Sequence, residues 1–211
     1  MPMMIQPVWG GVLGNYAANK AGFIVSAVLT FVFVSIAAVL LARYVAGKKG
    51  GNKKKTTVWF LLIALCVSAA LLCFFGFAAI TVKGILLSFV LLYASYEDLK
   101  TKECDDSLHL MIVIAAFIGT DLSSLQNMLI SALIVGGLML ISMLITKSKI
   151  GGADIKLAAA CAFMLGLNRG LFGLFAGTLI AVICNVFRKN RKEGFAMIPY
   201  LAVGFMAAYF I

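Results

Sequence analysis

Two aspartates, Asp98 and Asp154, have the residue type and the surroundings to act together in acid–base chemistry. Asp98 follows the short charge-free run Gly84–Tyr96, and Asp154 precedes the short charge-free run Leu157–Asn168. Two carboxyl groups brought close together can share one proton, because like charges a few ångströms apart do not easily ionise together. The ionised group can take a proton from water while the protonated group donates a hydrogen bond to a carbonyl. Such a pair would hydrolyse an amide without a covalent intermediate.

Few other side chains compete for a catalytic role. The single histidine, His109, is interpreted as an interfacial polar residue, and none of the five cysteines forms a CxxC pair. One histidine without a suitable cluster of acids does not favour a metal hydrolase, so we expect no metal and no cofactor. Ser107 and Ser148 lack the strand–turn–helix context of a nucleophilic serine.

The composition of the chain is that of a membrane protein. Of 211 residues, 63% are hydrophobic and 12% are charged. A soluble domain has roughly 45–50% apolar and about 25% charged residues. Too few polar residues remain to cover the outside of a soluble fold, so the bilayer is the expected solvent. The length fits one domain over residues 1–211.

Eight charge-free apolar runs predict an all-α, multi-pass helical bundle of about eight transmembrane helices. A spanning helix needs about 20 apolar residues, and three of the runs are shorter. We therefore expect the helix of the first short run to include Glu97 and Asp98, and that of the third to start near Asp154. Close helix packing is predicted at Gly173-x-x-x-Gly177 and Gly136-Gly137. The eight runs are Ala21–Ala42, Thr56–Val82, Gly84–Tyr96, Ser107–Thr120, Leu122–Thr146, Leu157–Asn168, Gly170–Phe187 and Gly194–Ile211.

The positive residues indicate which loops face the cytoplasm. The net charge is +10, and with alternating loops fifteen Lys and Arg residues fall on one side against three on the other. Cytoplasmic loops carry the excess of Lys and Arg, which predicts that the loops at 47–55, 99–106, 147–153 and 189–193 are cytoplasmic. Asp98 and Asp154 then lie at the same membrane face. The basic residues are expected to contact anionic lipids and not nucleic acid.

The residues around Asp154 are predicted to form the segment that a substrate approaches. Gly151 and Gly152 allow a positive φ and a close approach of an extended peptide. Ala153 and Lys156 are the other two residues of this predicted substrate-approach segment. Asp154 also has the position of an N-cap or first-turn acid of the following helix.

Three segments of the sequence resemble those of type IV prepilin peptidases. Gly151–Leu157 reads Gly-Gly-Ala-Asp-Ile-Lys-Leu, which resembles that family's Gly-x-Gly-Asp motif with its following hydrophobic residue and Lys. Tyr93–Lys102 resembles the family's first aspartate motif, an Asp at a helix end leading into a basic loop. Ile198–Gly204 is similar to its proline-containing final helix. The resemblance covers roughly Gly84 to Ile211, the motif-bearing core 84–211.

The resemblance implies a membrane aspartyl protease that cuts the short basic leader from type IV pilin-like precursors. It implies that Asp98 and Asp154 are the catalytic pair and that the active site lies at the cytoplasmic face of the cell membrane. A pilin-like precursor is the implied substrate, and membrane lipids are the implied surroundings.

The sequence departs from the family pattern in three places. Ala153 stands where the motif usually has its second Gly, and Cys104-Asp105-Asp106 stands where the family often has Ile-Pro-Asn. Larger bacterial members carry a zinc domain with CxxC pairs near the N-terminus, linked to N-methylation of the processed pilin. We expect no such domain here, and therefore cleavage without methyltransferase activity.

Two other functions are compatible with a pair of membrane aspartates. A proton- or cation-coupled transporter could use them as relay sites, although its charges would be expected near the midplane and often in two related halves. A non-catalytic assembly component of a pilus or secretion machine is the other alternative.

Overall fold

The computed structural model describes residues 20–48, 51–146, 151–187 and 195–211. These residues form eight α-helices and one short 3-10 helix at Leu122–Ser124. The predicted all-helical membrane bundle is confirmed. The basic residues predicted at 147–150 and 188–193 lie outside the described residues. The helices are α1 Lys20–Lys48, α2 Lys53–Phe75, α3 Ala79–Thr101, α4 Asp106–Ala116, α5 Leu125–Thr146, α6 Gly152–Leu165, α7 Leu167–Val186 and α8 Ile198–Tyr209.

Five of the described helices are long and apolar enough to cross a membrane. They are α1, α2, α3, α5 together with the 3-10 turn before it, and α7. The helices α4, α6 and α8 are shorter, so the described residues contain fewer helices of crossing length than the eight that the apolar runs predict. Helix α6 packs against α4, α5, α7 and α8, so protein covers much of its surface.

One apolar run does not form a single helix. Residues 56–82 were expected to be continuous, but Gly76 adopts φ 65° and ends α2 by donating its N–H to the carbonyl of Leu72. This left-handed conformation favours glycine because it has no Cβ. The helix α3 begins at Ala79, so Lys83 lies inside α3 and not in a loop.

The expected charged helix ends are confirmed for both aspartates. Helix α3 continues past Tyr96 through Glu97 and Asp98 to Thr101. Helix α6 begins at Gly152, which places Asp154 in its first turn. Lys102 then turns the chain away from α3 with φ 60°, and its N–H donates to the carbonyl of Asp98 at 3.1 Å.

The chain divides into two compact units, Met1–Ile85 and Leu86–Ile211. In the first unit α1 packs along α2, and Asn52 caps α2 by accepting hydrogen bonds from the N–H groups of Lys54 and Lys55. The second unit contains both aspartates. The single-domain organisation stays a prediction.

Glycines bring α7 and α8 of the second unit unusually close. A Cβ on Gly177 would lie 2.8 Å from the Cα of Leu201, and one on Gly204 would collide with the backbone of Gly173 and Gly177. The predicted packing role of the Gly173-x-x-x-Gly177 motif is confirmed. Gly136 likewise abuts Ala159, whereas Gly137 faces open space, so only the first glycine of that pair packs closely.

Candidate active site

Asp98 is held by the start of a helix that lies far along the chain. Its side chain is buried, with the residue 6% exposed, and Oδ2 accepts a hydrogen bond of 2.9 Å from the N–H of Ile198. Ile198 is the first residue of α8, and Pro199 occupies the helix start, where its missing N–H costs nothing. The first N–H groups of a helix have no partner within the helix and carry partial positive charge. The beginning of α8 therefore stabilises a negative charge on Asp98.

Asp154 is held by its own turn. It occupies the third position of α6 and is 8% exposed. Its Oδ2 accepts a hydrogen bond of 3.1 Å from the N–H of Gly151, and its own N–H donates to the carbonyl of Gly151 at 3.1 Å. The prediction of a first-turn acid is confirmed.

The two glycines before Asp154 differ in what they contribute. Gly151 has φ −68° and ψ 143°, which any residue can adopt, so the suggested need for a positive φ at this position is wrong. Space is the reason instead. A Cβ on Gly151 would lie 3.3 Å from Oδ2 of Asp154, whereas a Cβ on Gly152 would meet nothing within 4 Å.

The two predicted acids lie close enough to influence each other. The pKa of Asp154 is raised to about 6, mainly by burial and then by the negative charge of Asp98, while the hydrogen bond from Gly151 acts in the opposite direction. Residues that the sequence separates by 55 intervening positions are thus brought together by the fold. Asp154 holds its proton more tightly than an ordinary aspartate, while Asp98 has a hydrogen-bond donor suited to the ionised form.

The loop between α3 and α4 closes one side of this pair. Glu97 is fully buried, and its Oε2 accepts a hydrogen bond of 3.0 Å from the N–H of Asp105, which precedes α4. Burial raises the pKa of the Cys104 thiol to about 12, with further contributions from Glu97, Asp98, Asp105 and Asp154. Cys104 therefore lies within electrostatic range of both aspartates. Sequence reasoning missed the hydrogen bond of Glu97 to this loop, since a carboxylate beside Asp98 is equally consistent with a solvated helix end.

Lys156 of the predicted substrate-approach segment forms an ion pair with Asp106. Its Nζ contacts both carboxylate oxygens of Asp106, at 2.7 and 3.0 Å. His109 lies buried in the first turn of α4, with Nδ1 3.7 Å from Oδ1 of Asp106. Gly152 is exposed and Ala153 is half-buried. Within the described ranges, no group of three or more His, Cys, Asp or Glu residues is placed to hold a metal ion.

These helices and this site define a multi-pass helical membrane protein with two interacting, buried carboxyl groups. A sequence model of the type IV leader peptidase family matches residues 85–186, a little under half of the chain. No curated protein and no solved structure matches. This match supports the resemblance to the type IV leader peptidase family and indicates a peptidase. The match includes both aspartates but ends before α8, which supplies the donor to Asp98.

Proposed function

We propose that this protein is a membrane aspartyl endopeptidase that removes the basic leader of type IV pilin-like precursors. The observation that carries the proposal is the pair Asp98 and Asp154, two buried carboxyl groups within the family segment, one of which raises the pKa of the other. A buried carboxyl group with a strongly perturbed pKa is characteristic of catalytic sites, because a catalytic acid or base needs a pKa matched to its role in the reaction.

The different surroundings of the two acids support different roles for them in the reaction. Asp98, with the N–H of Ile198 on Oδ2, is the ionised group that takes a proton from the attacking water. Asp154, with its raised pKa, is the protonated group that donates to the scissile carbonyl oxygen. The water oxygen bonds to the carbonyl carbon, the carbon–nitrogen bond then breaks, and the proton held by Asp98 passes to the leaving nitrogen. The apparent pKa values of such a reaction belong to the pair.

The distribution of Lys and Arg supports a cytoplasmic location for the site in the cell membrane. Loops rich in these residues flank both aspartates, which also suits contact with anionic lipid headgroups. The proposed substrate is a precursor whose apolar helix lies in the bilayer and whose leader reaches Asp98 and Asp154 from the cytoplasmic side.

Leader removal from co-expressed pilin-like precursors tests this proposal. We expect Asp98→Asn and Asp154→Asn each to lower the cleavage rate by about a hundredfold or more, because a positioned acid or base contributes about 10²–10⁴-fold. Asp121→Asn is the matched control, because Asp121 is an exposed aspartate in the α4–α5 connection. Cleavage is scored by gel shift and mass spectrometry, with membrane insertion verified for each variant.

Cleavage by both site variants at the wild-type rate would make the two acids structural. A wild-type protein that leaves even its native precursor uncut would remove the peptidase proposal and favour the transporter or assembly alternatives.

A further inference from the structure

An ion pair joins the two chain segments that carry the aspartates. Lys156 follows Asp154 by two positions in α6, and Asp106 is the first residue of α4, in the segment that follows Asp98. The Lys156 ammonium contacts both oxygens of the Asp106 carboxylate, at 2.7 and 3.0 Å. This contact spans 50 positions of sequence, so it connects segments that the backbone alone does not hold together.

A second contact of α4 with the Asp154 turn lies beside the ion pair. His109 is buried one turn into α4, its Nδ1 lies 3.7 Å from Oδ1 of Asp106, and its ring is close to the backbone of Ala153. The helices α4 and α6 pack against each other. The first turn of α4 therefore contacts the residue before Asp154 and the residue two positions after it.

The same end of α4 is fixed to the segment of Asp98. Glu97 accepts a hydrogen bond from the N–H of Asp105, the residue immediately before α4. A continuous series of contacts thus runs from Glu97, beside Asp98, through the start of α4 to Lys156, beside Asp154. The beginning of α4 therefore contacts both carboxyl-bearing segments.

We propose that the Asp106–Lys156 ion pair positions Asp98 and Asp154 relative to each other, and that Lys156 is a positioning residue and not a substrate contact. The inference rests on the proposed peptidase function. Both side chains are largely exposed, at 57% for Lys156 and 74% for Asp106. Exposed ion pairs contribute little to the stability of a fold. The consequence of the pair is therefore expected in the reaction rate, because small misplacements of reacting groups are costly.

Charge reversal and charge exchange test the pair. We expect Lys156→Glu and Asp106→Lys each to lower kcat by about tenfold, since a 1 Å displacement can cost roughly a hundredfold and these changes are smaller. The KM is expected to stay near the wild-type value. The double variant, Lys156→Glu with Asp106→Lys, is expected to regain most of the lost rate. Lys54→Glu and Asp121→Lys are matched controls, because they make the same two substitutions at exposed positions outside the site.

Three results would overturn the proposal. Single variants with the wild-type kcat would show that the pair positions nothing. A double variant no faster than the single ones would show that the charges do not act through each other. Single variants that change only KM would make Lys156 a substrate contact after all.

The titration of Asp154 separates this proposal from the proposed function. It is followed by the infrared carboxyl band after carbon-13 labelling of aspartate, with Asp154→Asn as the reference. The decrease in the pKa of Asp154 that Asp98→Asn causes measures how strongly the two acids interact. It is compared in the wild-type, single-variant and double-variant backgrounds, so that the direct effect of each reversed charge on Asp154 cancels. Each single charge reversal should make that decrease smaller, and the double variant should restore it. If no precursor is cleaved, the peptidase function fails, and this titration alone decides: an unchanged decrease in the single variants overturns the positioning role.

Discussion

Asp98 and Asp154 are both buried, yet the fold positions them in opposite ways. The donor to Asp154 is Gly151, three positions away in the same turn. The donor to Asp98 is Ile198, 100 positions away at the start of another helix. The N–H at the start of α8 favours the ionised form of Asp98, and burial and the negative charge of Asp98 favour the protonated form of Asp154. Two chemically identical side chains thus obtain the same kind of backbone donor over very different distances in the sequence.

The same difference makes the two sites depend on different parts of the chain. The turn of Asp154 belongs to the segment that defines the family match, but α8 lies outside it. Helix α8 is held against α7 at Gly173, Gly177 and Gly204, where side chains would collide with the neighbouring backbone. The environment of Asp98 therefore depends on tertiary packing. Perturbing the donor to Asp98 should lower kcat more than perturbing the turn of Asp154.

Removing the N–H of Ile198 is expected to lower kcat more than any change to the backbone turn of Asp154. Replacing Ile198 by its α-hydroxy acid converts the N–H into an ester oxygen and keeps the side chain. A hydrogen bond to a charged group contributes about 1.5–3 kcal/mol, which corresponds to a loss of about ten- to a hundredfold in kcat. The kcat for leader cleavage measures the effect. Ile198→Val is the control, because it trims the side chain but keeps the donor, and equal rates for the ester and Ile198→Val would contradict the assignment.

Crowding the Asp154 turn is expected to have a smaller effect. Gly151→Ala places a Cβ 3.3 Å from Oδ2 of Asp154, so the carboxylate must shift by a few tenths of an ångström. We expect a decrease of roughly fivefold in kcat, less than the hundredfold that a 1 Å displacement can cause. Gly152→Ala is the matched control, because its Cβ meets open space. A Gly152→Ala variant as slow as Gly151→Ala would refute the distinction between the two glycines.

Titration of Asp154 measures how strongly the charge of Asp98 acts on it. Asp98→Asn removes a negative charge, so the pKa of Asp154 should fall from about 6 towards the ordinary value of 3.8, as measured by the infrared carboxyl band. The folded wild type binds this proton more tightly than the unfolded chain, so stability decreases as pH rises from about 3.8 to about 6. Asp98→Asn should flatten that slope.

The same titration should appear in the reaction rate. In the wild type, kcat should fall as pH rises through the pKa of Asp154. An unchanged pKa of Asp154 in Asp98→Asn would mean that the two acids do not interact.

The smallest expected effect of the two acids is on the alkylation rate of Cys104. Its thiol pKa is raised to about 12, mainly by burial, and Asp98 contributes more to the increase than Asp154 does. Because the thiolate is the reactive form, Asp98→Asn should accelerate alkylation of Cys104 more than Asp154→Asn does. Labelling rates are read by mass spectrometry of the Cys104 peptide, with Asp121→Asn as the variant that should leave them unchanged. The reverse order of rates would place Cys104 nearer to Asp154.

Hydropathy and residue spacing predicted most of the helices and the positions of the two aspartates along them. Long apolar runs predict helices in a bilayer, and runs too short to span it predict that α3 and α6 include charged ends. These are local properties of hydropathy and spacing. The same local reasoning also found the first-turn position of Asp154. It failed at Thr56–Val82, where Gly76 breaks the run, and at Gly151, whose role is to leave space and not to adopt a positive φ.

The hydrogen-bond and ion-pair partners around the two acids come from distant parts of the chain and could not be predicted from local sequence. Glu97 reaches the N–H of Asp105, Lys156 pairs with Asp106, and Ile198 donates to Asp98 across 8, 50 and 100 positions of sequence. Hydropathy does not encode such contacts, because an apolar helix face is equally satisfied by lipid or by any neighbouring helix. The choice among neighbours depends on close packing, as at the glycines of α7 and α8, and that packing sets which backbone N–H meets which carboxylate.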